Sequence, residues 1–357
     1  LQEIEGTLPF EQVVVHHLDA WQFIPITVHS SYTTTPRRIF MLGATGTIGQ
    51  ATVRALLRHG HEVVCFVRPR TPSANQTSQF AGASVRFGDV TDPVSLSRDG
   101  FMGERFDAVV SCMASRTGTP KDAWAIDHAA HINVLRVAQG AGVPQMVLLS
   151  AICVQKPLLA FQHAKLAFET ALATSGLTYS IVRPTAFFKS LSGQIERVRQ
   201  GKPFLVFGDG TLTACKPISD DDLGDYIAEC LTDVTRYNRI LPVGGPGEAL
   251  TPRAQGEALF ALFDKPVRFK KVPVALLDVI IAVLSTLGRI VPPLADKAEL
   301  ARIGRYYATE SMLAWDAHAQ RYDAEATPSS GRESLLDFYR SVARGEATVD
   351  RGDHAVF

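Results

Sequence analysis

The chain has 357 residues, 46% of them apolar and 20% charged, enough for one large domain or two smaller ones. Its 36 basic and 36 acidic side chains cancel, which excludes a general nucleic-acid binder. The five cysteines lack metal-ligand spacing and the ten histidines are scattered, so neither a disulfide scaffold nor a protein metal site is expected, and the pattern fits a reduced, intracellular, cytoplasmic protein.

Residues 1–37 carry apolar pieces at Val13–Val15 and Trp21–Val28, interrupted by acids and histidines. No basic segment precedes a long apolar run, so an N-terminal extension is expected rather than an ordinary signal peptide. Arg38 to Arg70 is the stretch on which the rest depends. Ile39–Leu42 suits a buried strand, Gly43-Ala-Thr45-Gly46 a turn, Thr47 to Leu57 a helix that stops at Gly60, and Val63–Val67 a second buried strand. Strand, glycine turn, helix, strand is the context of a dinucleotide fingerprint, here with glycines at 43, 46 and 49. Gly43 permits the tight turn, Gly46 lets a pyrophosphate approach the backbone, and Gly49 lets the helix lie close to the sheet. The free N–H groups of the helix start, around Thr47 and Ile48, face the phosphates. After the second strand, Arg68 and Arg70 stand where an acid would bind the ribose 2′-hydroxyl. Two guanidinium forks favour a 2′-phosphate, hence NADP(H) over NAD(H), with Arg68 the better placed.

Residues 71–80 read as a polar loop. Val85 to Phe87 is a third strand, followed by Asp89 and Val90 near the adenine edge, with Asp92 suited to cap the helix opening at Pro93. Phe106–Ser111 is a fourth strand whose end, Cys112-Met-Ala114, should pass the nicotinamide. Arg116 to Lys121 looks like a mobile polar loop, Ala125–Gly140 a helix carrying His128 and His131 in solvated or capping roles, and Gln145–Ser150 a fifth strand. Ser150 sits at its carboxyl end, where open α/β sheets bind ligands. Leu158–Thr174 should be a helix on which Phe161 and Lys165 share a face. A lysine there invites a functional reading, against a bland one in which it pairs with Glu169. Thr178–Val182 is a sixth strand closed by Arg183-Pro184.

Beyond Pro184 the chain reads as a smaller lobe. Gly201–Thr213 suggests short strands, Ser219-Asp-Asp a helix start, Ile240–Val243 a strand, Thr251-Pro252 a capped helix to Phe263, and Val267–Val272 a strand. Val274–Leu287 is almost wholly apolar but short for a spanning helix. A buried helix, a substrate wall and a membrane-surface helix are ranked in that order. A polar helix around Ala295–Tyr307 and a short one at Leu335–Val342 precede a polar tail from 346. The expected fold is α/β: a Rossmann-type, mostly parallel, doubly wound sheet over 38–184 with a smaller C-terminal substrate lobe over 185–345, the two sharing elements.

Gly43-Ala-Thr-Gly46-Thr-Ile-Gly49, Gly88-Asp89, Asn133-Val-Leu, Ser150, Lys165, Arg183-Pro184 and Ser219-Asp-Asp together resemble the atypical, extended short-chain dehydrogenase/reductases of NmrA-like layout. Longer pieces narrow this. Phe66-Val-Arg68-Pro-Arg70, Ser115 to Trp124, Ser150 to Lys165, Phe187 to Gly193 and Asp209 to Lys216 closely resemble the NADPH-dependent divinyl chlorophyllide a 8-vinyl reductases of phototrophic bacteria and plants. The likeness runs from about residue 38 to the C-terminus.

That resemblance implies reduction of the 8-vinyl group of a chlorin to ethyl in chlorophyll or bacteriochlorophyll synthesis, with divinyl chlorophyllide a, or the protochlorophyllide, as substrate. It implies Lys165 at the nicotinamide ribose. The usual reductase pair is tyrosine, three residues, lysine; here Phe161 replaces the tyrosine, which argues against alcohol oxidation and leaves reduction of a carbon–carbon double bond open. Hydride would reach the terminal vinyl carbon, charge at the inner carbon would spread into the macrocycle, and a proton would complete the ethyl group. Lys165, His163, Cys153 and a water held by Ser150 are the candidate donors. Phe187, Phe188 and the 274–287 helix are candidate walls, and Arg116, Lys121, Lys156 and Lys189 candidate partners for the propionate. The magnesium travels with the substrate. Competing readings are another NADPH reductase of quinone- or isoflavone-reductase type, a non-catalytic NADP(H) sensor, and an assembly or anchoring factor at a photosynthetic membrane, to which peripheral association is in any case a candidate property.

Overall fold

Residues 35–69 and 80–347 are described by the computed structural model of the chain. The first 34 residues, Arg70, the polar loop after it and the tail from 348 lie outside the described residues.

β1 (Arg38–Leu42), α1 (Thr47–Arg58) and β2 (Glu62–Val67) form the expected strand–turn–helix–strand. β3 (Ser84–Phe87) leads to α2 (Pro93–Ser95), where Asp92 accepts from the Val94 N–H as the cap, and the chain continues as a π-helical turn at Leu96–Phe101. β4 (Ala108–Ser111) is followed by one unbroken helical run: α3 (Pro120–Ala123), a π-helical stretch at Trp124–Ala130, and α4 (His131–Gly140). Then come β5 (Gln145–Leu149), a 3-10 turn at Ile152–Gln155, α5 (Ala160–Ala173) and β6 (Thr178–Pro184). The polar loop before α3 is shorter than expected and is hydrogen-bonded to the helix that follows it. The Asp122 carboxylate accepts from both the N–H and the hydroxyl of Thr117, each at 2.8 Å, and Lys121 already lies in the helix.

Past Pro184 lie α6 (Phe188–Leu191), α7 (Ile195–Arg199), β7 (Phe204–Phe207), α8 (Asp220–Glu229), β8 (Arg239–Val243), α9 (Pro252–Leu262) and β9 (Phe269–Val272). The described residues close with α10 (Val274–Leu287), α11 (Pro292–Thr309), β10 (Ala314–Asp316), β11 (Arg321–Asp323) and α12 (Leu335–Arg344). Among the described residues the main sheet has seven strands in the order β3-β2-β1-β4-β5-β6-β8, paired in parallel throughout. This is the Rossmann order extended by one strand, and β8 comes from beyond Pro184.

The sheet is buried on both faces because its side chains alternate. Ile39, Met41, Val63, Cys65, Val110 and Val147 pack on one side with α1 and α8, while Phe40, Leu42, Val64, Phe66, Val109, Met146 and Leu148 pack on the other with α4 and α5. Each large apolar side chain so buried contributes about 1.5–3 kcal/mol. α8 runs tight against α1: a Cβ on Gly224 would lie 2.8 Å from the Ala51 carbonyl carbon. The rim pairs Arg54–Asp221 and Arg58–Asp225 join the same two helices, and as half-exposed pairs they add little.

A smaller C-terminal lobe has its own core of Phe188, Ile195, Phe204, Leu259, Phe260 and Tyr339. One strand, β7, forms where several short ones were expected, and it pairs in parallel with the distant β9. Phe188 is buried in this core, so it is no substrate wall. The apolar α10 is not a buried helix either, since none of its residues is buried and Leu276, Val279, Ile280, Val283 and Leu287 are exposed. α10 pairs with α11, and the Asp278 carboxylate accepts from Arg305 on the way. No helix among the described residues is long and apolar enough to cross a membrane.

Candidate active site

The strand order reverses between β1 and β4, and sheets of this kind bind ligands beyond the carboxyl ends of the strands at such a point. Gly43 leaves β1 at φ +74°, and a Cβ there would meet the Cys112 carbonyl carbon, just past β4, at 2.5 Å. A Cβ on Gly49 would lie 2.0 Å from the Gly43 carbonyl oxygen, so helix and turn touch through this glycine. Gly46 differs. Its backbone is extended, a Cβ there would find nothing nearer than 3.6 Å, and the residue is exposed. Nothing in the fold requires glycine at 46, and its open space would admit a ligand to the backbone. α1 starts without a side-chain cap and without an acid in its first turn, so its leading N–H groups are left for an anion. Thr45 is exposed at the turn, Thr47 opens the helix and Ile48 anchors it in the core. These residues fit a dinucleotide pyrophosphate.

Arg68 is exposed just past β2, close enough to Asp89 to help hold its carboxyl below the usual range. The larger cause is Thr91, whose hydroxyl and N–H both donate to Asp89 Oδ1, at 2.7 and 2.8 Å. Asp89 thus shapes its own turn, with Oδ1 committed, and Val90 is buried in the core.

Four further groups meet at the end of β5. Ser150 is buried and donates its hydroxyl proton to Glu169, which the Arg183 guanidinium also grips through both of its oxygens. Glu169 is therefore not the partner of Lys165. Lys165 Nζ instead donates to Asp127 Oδ1 at 2.9 Å, and that oxygen also accepts from the Ser115 N–H at 3.1 Å. Burial alone would push the Asp127 carboxyl up, but the Lys165 charge and these hydrogen bonds outweigh it and hold the acid below its ordinary value. His131 lies beside them, buried rather than solvated. Its Nδ1 lies 2.9 Å from the Ile126 carbonyl and must donate to it, so Nε2, 2.9 Å from Ser111 Oγ, accepts. Burial lowers this imidazole to about 4, so it is neutral. Asp127, His131, Ser150 and Lys165 line one small cavity of about 10 Å³.

The fold thus brings Lys165 and Ser150 together, with Gly43 and Cys112 adjoining each other at the switch point. His163 is exposed, which takes it off the face that Lys165 shares with buried Phe161. Cys153 is buried beside Phe161 and accepts a weak bond from the Tyr307 hydroxyl at 3.9 Å; burial pushes its thiol up. Ala114 is exposed beyond β4, and Pro184 ends β6 opposite Val243. Lys156 is taken: it pairs with Glu310 at 2.7 Å and packs over the Trp315 ring. Arg70 lies outside the described residues.

Asp127 and His131 are the residues that sequence reasoning missed. The signal was there: Ala123, Asp127, Ala130 and Val134 fall on one buried helix face, and an acid in that row raises the same question as Lys165 does on α5.

A family model described as NAD(P)H-binding matches residues 43–234. The chain is 48% identical over 331 residues, 89% of this chain and 82% of the relative, to the chloroplastic divinyl chlorophyllide a 8-vinyl-reductase of Oryza sativa subsp. indica. It is 46% identical over 329 residues, 88% of this chain and 79% of the relative, to the protein of the same name from Arabidopsis thaliana. Among solved structures, the leucoanthocyanidin reductase–NADPH complex of Vitis vinifera superposes with a TM-score of 0.64 at 14% identity, covering 86% of this chain and 99% of that one, a likeness of fold. A phosphate-ready glycine turn and a half-buried lysine with no tyrosine partner thus sit in a chain alike along most of its length to named vinyl reductases, and the chain belongs to the divinyl chlorophyllide a 8-vinyl-reductase family of NAD(P)H-binding, NmrA-like short-chain reductases.

Proposed function

We propose that the chain reduces the 8-vinyl group of divinyl chlorophyllide a to ethyl with NADPH, in chlorophyll or bacteriochlorophyll synthesis. The likeness at 48% identity along 89% of the chain to a protein named for this reaction carries the reading. The site agrees with it: Phe161 has no proton to give an alkoxide, whereas Lys165 stands charged in a water-poor corner.

NADPH, when bound, supplies the hydride that adds to the terminal vinyl carbon. Gly43, Thr45, Gly46, Thr47, Ile48 and Gly49 hold its pyrophosphate, and Arg68, with Arg70, takes the 2′-phosphate. Asp89 and Val90 border the adenine. Cys112, Ala114, Ser150 and Pro184 border the nicotinamide end. Lys165 binds the nicotinamide ribose, places positive charge where negative charge develops on the macrocycle, and gives up the proton at Nζ. It is preferred over Ser150, whose proton is committed to Glu169, over Cys153, whose thiol burial makes a poorer acid, and over exposed His163. Arg116, Lys121 and Lys189 remain the candidates for the substrate carboxylate.

We further propose that the chain works at the surface of the photosynthetic membrane. α10 presents an apolar face, and Lys265, Arg268, Lys270, Lys271 and Arg289 are exposed on either side of it in the chain. An apolar helix flanked by basic residues suits an anionic lipid surface.

Anaerobic incubation with divinyl chlorophyllide a and either NADPH or NADH tests the reaction. A product heavier by two hydrogens, formed much faster with NADPH, is expected. Bound cofactor without product would refute the reading.

A further inference from the structure

The cavity that Lys165 lines holds about 10 Å³, far below the roughly 300–1,000 Å³ that enclose even a drug-sized ligand. A macrocycle must therefore displace part of the protein, and the structure shows what covers the neighbouring ground. Phe161, one turn before Lys165 on α5, is buried with Cys153 of the 3-10 turn and with Ile303 and Tyr306 of α11. A Cβ on Gly118, in the loop after β4, would meet Ile303 Cδ1 at 3.0 Å and Phe161 Cδ1 at 3.5 Å. Loop, α5 and α11 thus close on one apolar seam. Burial pushes the Cys153 thiol up and the Lys165 charge acts against it, so the seam adjoins the Lys165 corner.

The helix over this seam belongs to a body of its own. α10 packs against α11, Arg302 donates to Ser285 Oγ at 2.7 Å, and Arg305 pairs with Asp278. The turn between the two helices is tight, since a Cβ on Gly288 would lie 2.8 Å from the Ala295 nitrogen. No residue of α10 is buried. The hairpin is therefore braced internally and can shift outward as a unit. At its inner side the Tyr306 hydroxyl donates to the carbonyls of Cys153 and Lys156, at 2.9 and 3.1 Å, and Glu310 pairs with Lys156 just past the helix. The Tyr307 hydroxyl has a weaker hold, on Cys153 Sγ at 3.9 Å. Its ring stands edge-on to Tyr306 and 38% of the residue is exposed, so an aromatic surface lies open beside the seam.

We propose that this seam is the chlorin site: the α10–α11 hairpin moves outward, the macrocycle enters between α11 and the floor of Phe161, Cys153 and Gly118, and Tyr307 stacks on it. The inference rests on the proposed vinyl reduction and names the walls of its substrate site. A flat conjugated ring gains from an offset aromatic partner as well as from apolar burial, and Ile303, Phe161 and Tyr307 supply both. Tyr307 gives up only a thiol contact in exchange. Arg116 and Lys121, exposed on either side of Gly118 in the chain, suit the substrate carboxylate.

Two measurements on the full chain test the site. In the first, divinyl chlorophyllide a is added with NADP⁺, so that no hydride is transferred, and backbone amide exchange is followed by mass spectrometry. Peptides over 115–119 and 152–165 should slow at least about threefold, and those over 292–309 should change by as much, while the far-edge strand β3 stays as it was. In the second, the Kd for the macrocycle is read from the shift of its Soret band. Tyr307→Leu should raise that Kd about tenfold, with kcat at saturation, NADPH affinity and Tm near those of the wild type. Tyr307→Phe keeps the ring and should bind within about twofold of the wild type. The proposal is overturned if the macrocycle does not bind, if the three segments exchange unchanged in the complex, or if Tyr307→Leu binds as tightly as the wild type. It is equally overturned if Tyr307→Leu weakens NADPH as much as the macrocycle, or if Tyr307→Phe loses as much as Tyr307→Leu. Should Tyr307→Leu not fold, the exchange pattern of the wild type decides alone. A wild-type chain that binds both NADPH and the macrocycle but forms no ethyl product overturns the reductase reading, and the exchange pattern and Kd values still decide the site.

Discussion

Replacing Gly46 by alanine should weaken cofactor binding on the order of 10²-fold while leaving the fold almost untouched. Gly46 has φ −78° and ψ 162°, a conformation open to any residue, and the new Cβ would have the Gly43 carbonyl oxygen, at 3.6 Å, as its nearest neighbour. Alanine is a clearly poorer helix cap than glycine, which should cost about 1 kcal/mol of stability. In the complex, however, the methyl group occupies the space through which phosphate oxygens reach the first N–H groups of α1. Losing two charge-assisted hydrogen bonds at roughly 1.5 kcal/mol each is about 3 kcal/mol, or on the order of 10²-fold in Kd. Gly49→Ala is the contrasting control. Its Cβ would sit 2.0 Å from the Gly43 oxygen and 2.8 Å from the Gly43 carbon, so turn and helix must part. That overpacking should cost about 3 kcal/mol or more and lower Tm by on the order of 6–10 °C. NADPH fluorescence titration and thermal melts, with and without cofactor, read both quantities. A Gly46→Ala chain that binds NADPH as the wild type does would refute the placement of the phosphates.

Three other outcomes follow from the same coordinates. Arg68→Ala should weaken NADPH binding by about 10- to 100-fold and leave NADH binding unchanged, as two parallel titrations would read, because a charged hydrogen bond to the 2′-phosphate is worth roughly 1.5–3 kcal/mol. Stability should fall as pH drops from about 6.5 towards 4: the folded imidazole of His131 is lowered to about 4, so the unfolded chain binds the extra proton first, and about 3 kcal/mol present above pH 6.5 is lost across that window. Denaturant titrations at several pH values should show this slope in the wild type and its reduction in His131→Phe. Val279→Asp with Val283→Asp, at positions 60% and 51% exposed on α10, should leave Tm unchanged within about 0.5 kcal/mol of stability yet abolish co-sedimentation with anionic vesicles. Unchanged sedimentation would remove α10 from the membrane reading.

The parts of the fold that were legible in the sequence are those encoded locally. An apolar run, a glycine turn and an amphipathic helix specify β1–α1–β2 within some thirty residues, and Ser219 and Thr251 announce their helices through side-chain caps that the structure shows. The errors arose where a long-range partner decides. Glu169 stands four residues after Lys165, the natural helical pairing, but such a pair is worth only a few tenths of a kcal/mol and yields to the two-pronged grip of Arg183 and the Ser150 proton. Lys165 consequently turns to Asp127, on a helix that sequence spacing gives no reason to place there. β7 and β9 likewise pair across a long separation that no local pattern records. The exposure of α10 was misjudged because hydropathy reports what a helix avoids, not whether the chain supplies anything to cover it.

The last strand of the main sheet and the closing helix of the smaller core impose an order in time. Strands β1 to β6 and helices α1 to α5 are complete by Pro184, whereas α8 and β8 of the same sheet follow it, and the core around Phe188, Leu259 and Phe260 needs Leu335 and Tyr339 from later still. A polypeptide emerging from the ribosome can therefore settle its phosphate turn long before its second half has anything to close upon. The nascent chain should pass through a stage in which a dinucleotide is held beside an unfinished neighbour. Early cofactor capture would steady that half-built molecule by mass action, so the supply of dinucleotide in the cell would govern how much of the protein matures as well as how fast it works.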